Sequence, residues 1–163
     1  MNIAHTLLVS LLDYDPITGI FVRKDSGKVT GCLDKNGYLT IRVKNKLYYS
    51  HRLAWFYVNK VWVDFVDHHN NNRADNAITN LRESTRTQNN RNGPKRCTNK
   101  SGYKGVFFHK QIGKWGATIT CNKKQLNLGW FTNPVDAAIT YDLAAVKLHG
   151  QFAKTNKELG LVV

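Results

Sequence analysis

The sequence is short of acidic residues and of cysteine. Asp and Glu number 11 against 24 Lys and Arg in 163 residues, giving a formal net charge of +13 and a pI near 9.8. The excess is spread along the chain instead of gathered in a tail, which points to a polyanionic partner. The three cysteines, Cys32, Cys97 and Cys121, are far apart and form no Cys-x-x-Cys pair. That pattern argues against a cysteine zinc site or a disulfide framework, so no structural zinc and a reducing, cytoplasmic setting are expected. A zinc site built from His51, His68 and His69 would lack a fourth ligand. No apolar run is long enough to span a bilayer, and no membrane association is expected. Residues 1–12 have neither a basic start nor a small-residue cleavage site, so they are not expected to be a signal peptide. Apolar residues still make up 42% of the chain, which supports a packed core.

Local patterns give the elements. Leu7, Leu8, Leu11 and Leu12 share a helical face, which predicts a short helix over 3–12. Asp15-Pro16-Ile17-Thr18-Gly19 is a turn, because proline presets φ and glycine permits the left-handed region. Strands are predicted over 20–23, 38–43 and 47–50, with a hairpin signal at 34–37. A helix over 51–58 follows, with Ser50 as its N-cap and Leu53, Trp55, Phe56 and Tyr57 directed to the core. Gly93-Pro94 interrupts the chain. Beyond it, strands are predicted over 105–108, 114–120 and 125–131, with 122–124 as the last turn. Asn133-Pro134 starts a helix whose Ala137, Ala138, Tyr141, Ala144, Ala145 and Leu148 repeat at three and four up to Gly150.

Between these halves lies the chemistry. Asp67 and His68 stand side by side after an aromatic run, Asn80 follows His68 by twelve positions, and Asn89 by twenty-one. A general base beside oxygen ligands is what a one-metal phosphodiesterase needs, since a hard cation takes oxygen donors and keeps several waters. The set His51-Arg52-Leu53, Val66-Asp67-His68, Asp75-Asn76, Asn80-Leu81-Arg82 and Gln88-Asn89 resembles the HNH endonuclease family, in particular its phage and intron homing branch. The resemblance implies a β-hairpin and helix gripping one Mg²⁺ (or Mn²⁺), with His68 as general base and Asp67 and Asn89 as metal ligands. It also implies that Asn80 ties the loop and orients the histidine. Arg82, Arg86 and Arg91 would hold the DNA backbone, and Lys95 and Arg96 would lie along it or be a solvated linker. Where the family often has a glycine turn, this chain has Asn70-Asn71-Asn72, and asparagine tolerates the same conformation. Strand alternation puts His68 and His69 on opposite faces, and His68 is taken as the base. His51 is either a cap on the site or a phosphate contact.

Residues 101–156 resemble the APETALA/ethylene-response-factor DNA-binding domain. The resemblance is carried by Gly102-Tyr103-Lys104-Gly105-Val106, Lys114-Trp115, Ala117, Ile119, Leu128-Gly129, Phe131, Ala137-Ala138, Tyr141-Asp142, Ala144-Ala145, Gly150 and Asn156. It implies a sheet that reads the major groove, with Lys104, His109, Lys110, Lys114, Lys123, Lys124, Gln125 and Asn127 as contacts. Most of the family's sheet arginines have no counterpart here, and Trp130 reads as core with base stacking as the alternative.

The expected architecture is α+β: a ββα-metal HNH nuclease module followed by a three-stranded antiparallel sheet packed on one helix. Its parts would be a β-rich support (1–50), the nuclease core (51–92), a basic linker (93–100), the DNA-binding domain (101–156) and a tail (157–163). The expected function is a homing-type endonuclease, metal-dependent and nicking double-stranded DNA as a monomer or as a dimer on DNA. A non-catalytic DNA-binding regulator and an RNA-binding protein are the alternatives.

Overall fold

The computed structural model describes residues 3–95 and 97–162. The chain is a mixed helix-and-sheet protein with several small antiparallel sheets, divided into two compact units, Met1–Asn89 and Asn90–Val163. No helix among the described residues is long and apolar enough to cross a membrane.

The first unit begins with α1 (His5–Leu11) and a meander of β1 (Leu12–Tyr14), β2 (Phe21–Arg23) and β3 (Val29–Thr30). The predicted helix ends one residue early. Leu12 pairs with Arg23 as the first strand residue, and it is fully buried in that position. A second sheet of β4 (Cys32–Leu33), β5 (Leu39–Val43) and β6 (Lys46–Tyr49) leads into α2 (Ser50–Asn59). Ser50 is therefore not the N-cap. Tyr49, held extended by pairing with Thr40, occupies the cap position, and Ser50 is buried in the first helical turn. A hairpin of β7 (Phe65–His68) and β8 (Leu81–Ser84) then precedes α3 (Arg86–Asn92), and the division between the units falls inside α3. Leu8, Leu12, Phe21, Ile41, Leu53 and Ala54, each at most 1% exposed, centre the core.

The loop before β2 bears directly on the hairpin. Gly19 has φ +73°, and a Cβ there would overlap the backbone of Asn76 and Ala77. Tyr14 Oη donates to the Asn76 carbonyl at 2.7 Å, and Ile78 N–H donates to the Pro16 carbonyl at 3.0 Å. The N-terminal meander thus clamps the segment that carries Asn76.

In the second unit β9 (Val106–His109), β10 (Lys114–Cys121) and β11 (Lys124–Phe131) form an antiparallel sheet with β10 central. Asn122 and Lys123, at φ 49° and 64°, make a two-residue turn, so Lys124 already belongs to β11. α4 (Pro134–His149) is capped by Asn133, whose Oδ1 accepts from Val135 N–H at 2.9 Å. Its Ala137, Ala138 and Ala145 are fully buried. Small side chains let the helix close on Val106, Ala117 and Ile119 of the sheet. Asn156, also fully buried, fixes the following segment. Its Oδ1 accepts from Lys104 N–H, and its Nδ2 donates to the Lys104 carbonyl and to Asp142.

Candidate active site and nucleic-acid face

The β7–β8 hairpin sets Asp67 opposite Arg82 and His68 opposite Leu81. Asp67 and His68 are 3% and 5% exposed. Arg82 Nε and Nη2 approach Asp67 Oδ2 at 2.9 and 2.7 Å. Expected on a DNA phosphate, Arg82 instead neutralises the buried carboxylate next to it across the ladder. A charge this deep needs such a partner.

Around His68 the structure assembles a ring cluster. His51 meets it edge-on at 4.9 Å between centroids, Tyr38 lies at 6.0 Å, and Tyr49 stacks on His51 at 5.4 Å. Burial, ahead of every other influence, pushes the His68 imidazole below its usual range. The Asn76 hydrogen bond and the charges of Asp67 and Asp75 oppose that shift, whereas Arg73 adds to it. His51 is driven down to about 3, first by burial and then by the neighbouring His68 and Arg52. Its Nδ1 is buried without a hydrogen-bond partner.

One contact fixes the chemistry of the His68 ring. Asn76, 1% exposed, presents Oδ1 to His68 Nε2 at 3.2 Å while its Nδ2 donates to the Ala74 carbonyl at 3.1 Å. A carbonyl only accepts, so the amide nitrogen must face Ala74 and the amide oxygen must face the ring. In the neutral ring Nε2 therefore carries the proton, and Nδ1 carries the basic lone pair.

Asn80 ties the loop, accepting at Oδ1 from Asn70 N–H at 3.0 Å and donating from Nδ2 to the Asp75 carbonyl at 2.8 Å. Orientation of the histidine, assigned to Asn80 from the resemblance, passes to Asn76. The Asp75-Asn76 dipeptide was visible in the motif, but no spacing rule told which asparagine would turn toward the ring. Asn71 takes φ +64° in the asparagine-rich turn, and His69 is exposed.

Asn89 lies half-buried in α3. A capping box, unforeseen from the sequence, starts this helix. Thr85 N–H donates to Gln88 Oε1 at 2.7 Å, and Gln88 N–H donates to Thr85 Oγ1 at 3.3 Å. Arg86 is exposed in the first turn, and Arg91 and Lys95 are half-buried. Arg96 lies outside the described residues. Among the described residues no group of three or more His, Cys, Asp or Glu is placed to hold a metal. The Asp67 carboxylate and the Asn89 amide oxygen are of the donor type that suits a hard cation.

In the second unit Lys104, expected as a DNA contact, is half-buried. Its Nζ donates to the carbonyls of Arg91 and Gly93 at 2.7 and 2.6 Å, at the C-terminal end of α3. Burial, reinforced by Lys154 and opposed by Asp142 and Glu158, lowers its pKa to about 8. Lys110, Lys114, Lys123, Lys124, Gln125 and Asn127 are exposed, and His109 is half-buried. Trp130 is not core. At 40% exposure it lies opposite Gly116 on the face away from α4, because Trp115 and Phe131 pair across the ladder on the core side.

No family model matches the chain. Over 61 residues, 36% of this chain, it is 44% identical to the AP2-like ethylene-responsive transcription factor PLT2 of Arabidopsis thaliana. It is also 40% identical over 70 residues, 43% of this chain, to the AP2-like ethylene-responsive transcription factor TOE2 of the same plant. APETALA2-like protein 2 of Oryza sativa subsp. indica is 39% identical over 69 residues, 42% of this chain. The chain spans only 11%, 14% and 15% of the length of these three relatives. Among solved structures it resembles one described as DNA binding and cleavage by the HNH homing endonuclease I-HmuI. That likeness has a TM-score of 0.44 and 28% identity over 50% of this chain and 51% of the other, too partial a superposition to bear on function by itself.

Proposed function

We propose that the chain is a metal-dependent endonuclease of the HNH type that nicks duplex DNA, with the second unit serving to read the DNA. The observation that carries this reading is the buried Asp67–His68 pair with Asn76 holding the imidazole in its Nε2–H form. A neutral ring with a defined lone pair is a general base ready to act near pH 7. His68 Nδ1 takes the proton of the attacking water. Asp67 and Asn89 would hold Mg²⁺ or Mn²⁺, which would supply positive charge against the charge that builds on the scissile phosphate and the leaving oxygen. Arg82 moderates the Asp67 charge, and Arg86 on the exposed face of α3 steadies the DNA backbone. The products are a 5′-phosphate and a 3′-hydroxyl in one strand, because one chain carries one such site. Support for DNA as the partner comes from the +13 charge and from the similarity to transcription factors.

The test is supercoiled plasmid incubated with the protein in Mg²⁺ or chelator, beside His68→Ala. Open circles are expected only with the unaltered chain and metal. Equal nicking by His68→Ala would end the assignment. A second reading, a DNA-binding regulator without catalysis, is favoured by two observations: Arg82 occupies Asp67, and the similar curated proteins are transcription factors. Tight duplex binding without nicking, on DNA carrying a site selected by the protein itself, would establish that reading instead.

A further inference from the structure

The open face of the β9–β10–β11 sheet carries side chains whose chemistry discriminates among base pairs. Residues 101–163 contain no arginine, so this part of the chain lacks the guanidinium fork that reads guanine O6 and N7. Alternation and register place Phe107, Thr118, Thr120, Gln125, Asn127 and Trp130 together on the face away from α4. Two of these are amides, which pair bidentately with adenine N6 and N7. The aromatic rings and the threonine methyls suit the thymine C5-methyl.

Phe107 and Trp130, 38% and 40% exposed, meet over Gly116. A Cβ at Gly116 would lie 2.6 Å from the Phe107 ring and 2.8 Å from the Trp130 ring, so only glycine lets them close into a ridge. Phe107 meets Trp130 edge-to-face at 5.7 Å, and His109 does so at 5.3 Å. Rings locked in this way offer edges and partial faces that fit a methyl group. They are poor platforms for stacking unpaired bases, which argues for a duplex over single-stranded RNA. Asn127 Oδ1 accepts from Gly129 N–H at 3.0 Å, which fixes the amide's orientation and leaves Nδ2 as a donor with a second lone pair on Oδ1. Lys110, Lys123 and Lys124, exposed at the strand ends, give the rim a charge complementary to phosphate. Three strands about 4.8 Å apart also match the scale of a major groove about 12 Å wide.

We infer that this face reads A·T-rich duplex DNA, with Gln125 and Asn127 on adenine and the Phe107–Trp130 ridge on thymine methyls. The inference rests on the duplex-DNA reading above. The test uses the full chain in chelator, where no strand is cut, to select from a pool of randomised duplexes. Adjacent A·T positions should be enriched. Gln125→Ala and Asn127→Ala should each lower the preference for the selected duplex over a G·C-substituted one about tenfold, with affinity for random duplex unchanged. Replacing thymine by uracil in the selected site removes only the methyl groups. It should weaken the unaltered chain several-fold and leave Trp130→Ala indifferent. Enrichment of G·C, absence of any motif, or indifference of the unaltered chain to uracil would overturn the inference while leaving the endonuclease reading standing. Failure to bind duplex, or stronger binding to RNA, would remove both.

Discussion

The two units bury their polar groups in opposite ways. In the first, Asp67, His68, Asn76 and Asn80 are each at most 9% exposed; Arg82 partners Asp67, Asn76 partners His68, and the backbone partners Asn80. In the second, polar side chains of the sheet face such as Gln125 and Asn127 lie open, and the fully buried Asn156 serves the fold. Burial raises the stakes of each hydrogen bond and fixes proton positions, which is what proton transfer requires. Exposure keeps donors and acceptors available to a partner, which is what base readout requires. Under the proposed function the first arrangement serves proton transfer and the second serves base readout.

Substitutions can break this contrast. The largest effect is expected at His68. His68→Ala should lower nicking by about 10²–10⁴-fold, the usual contribution of a general base, with duplex affinity unchanged. A parallel loss of affinity in gel-shift measurements would show that the ring supports the fold instead.

Acid should expose the buried side of the comparison. His51 has a folded-state pKa near 3 against an ordinary value of 6.5, so below pH 6.5 the unfolded chain binds a proton that the folded chain does not. Stability is thus fully present above about pH 6.5 and falls as the pH drops toward 3. The slope is about 1.4 kcal/mol per pH unit, before any contribution from His68. Urea titrations at pH 7 and pH 5 should show that loss, and His51→Phe should remove it. An unchanged slope in His51→Phe would mean that His51 does not govern the acid response.

Asn76→Ala is expected to cost about 1–3 kcal/mol in urea unfolding, because it strands a buried imidazole N–H. It should also lower the nicking rate roughly 10–100-fold through the misplaced ring, with KM unaffected. In metal-free protein, ¹⁵N spectra should show His68 as the Nε2–H form in the unaltered chain and as a mixture of tautomers in Asn76→Ala. In the second unit, Asn133→Ala should cost about 1 kcal/mol by loss of the α4 cap, without changing the nicking rate of the folded protein. The smallest effect belongs to the rim. Lys123→Ala and Lys124→Ala should each reduce the slope of log affinity against log salt by up to about 0.9 and leave stability alone. A slope that does not move would place these lysines away from the phosphates.

Much of the fold was legible because its signals are local. The Asn133-Pro134 start, the alanine stripe and a turn at 122–124, one residue longer than the one formed, are written in adjacent residues, as is the pairing of Asp67 with His68 on one strand end. What was not legible depends on partners distant in sequence. Lys104 reads as a DNA contact until Arg91 and Gly93 offer it two carbonyls. Arg82 reads as a phosphate ligand until the hairpin register puts Asp67 opposite it. Trp130 reads as core until the pairing of Gly116 with Trp130 assigns the indole to the open face.

Composition and spacing alone determined a basic α+β chain with an acid–histidine pair, an asparagine-rich turn and an alanine-faced terminal helix. These follow from charge, periodicity and backbone preference, which act over a few residues. Only the tertiary structure decided which asparagine holds His68, which arginine neutralises Asp67 and which lysine caps α3. Those choices are made by desolvation. A buried polar group takes whatever partner the packing brings within about 3 Å, and the sequence does not state that distance.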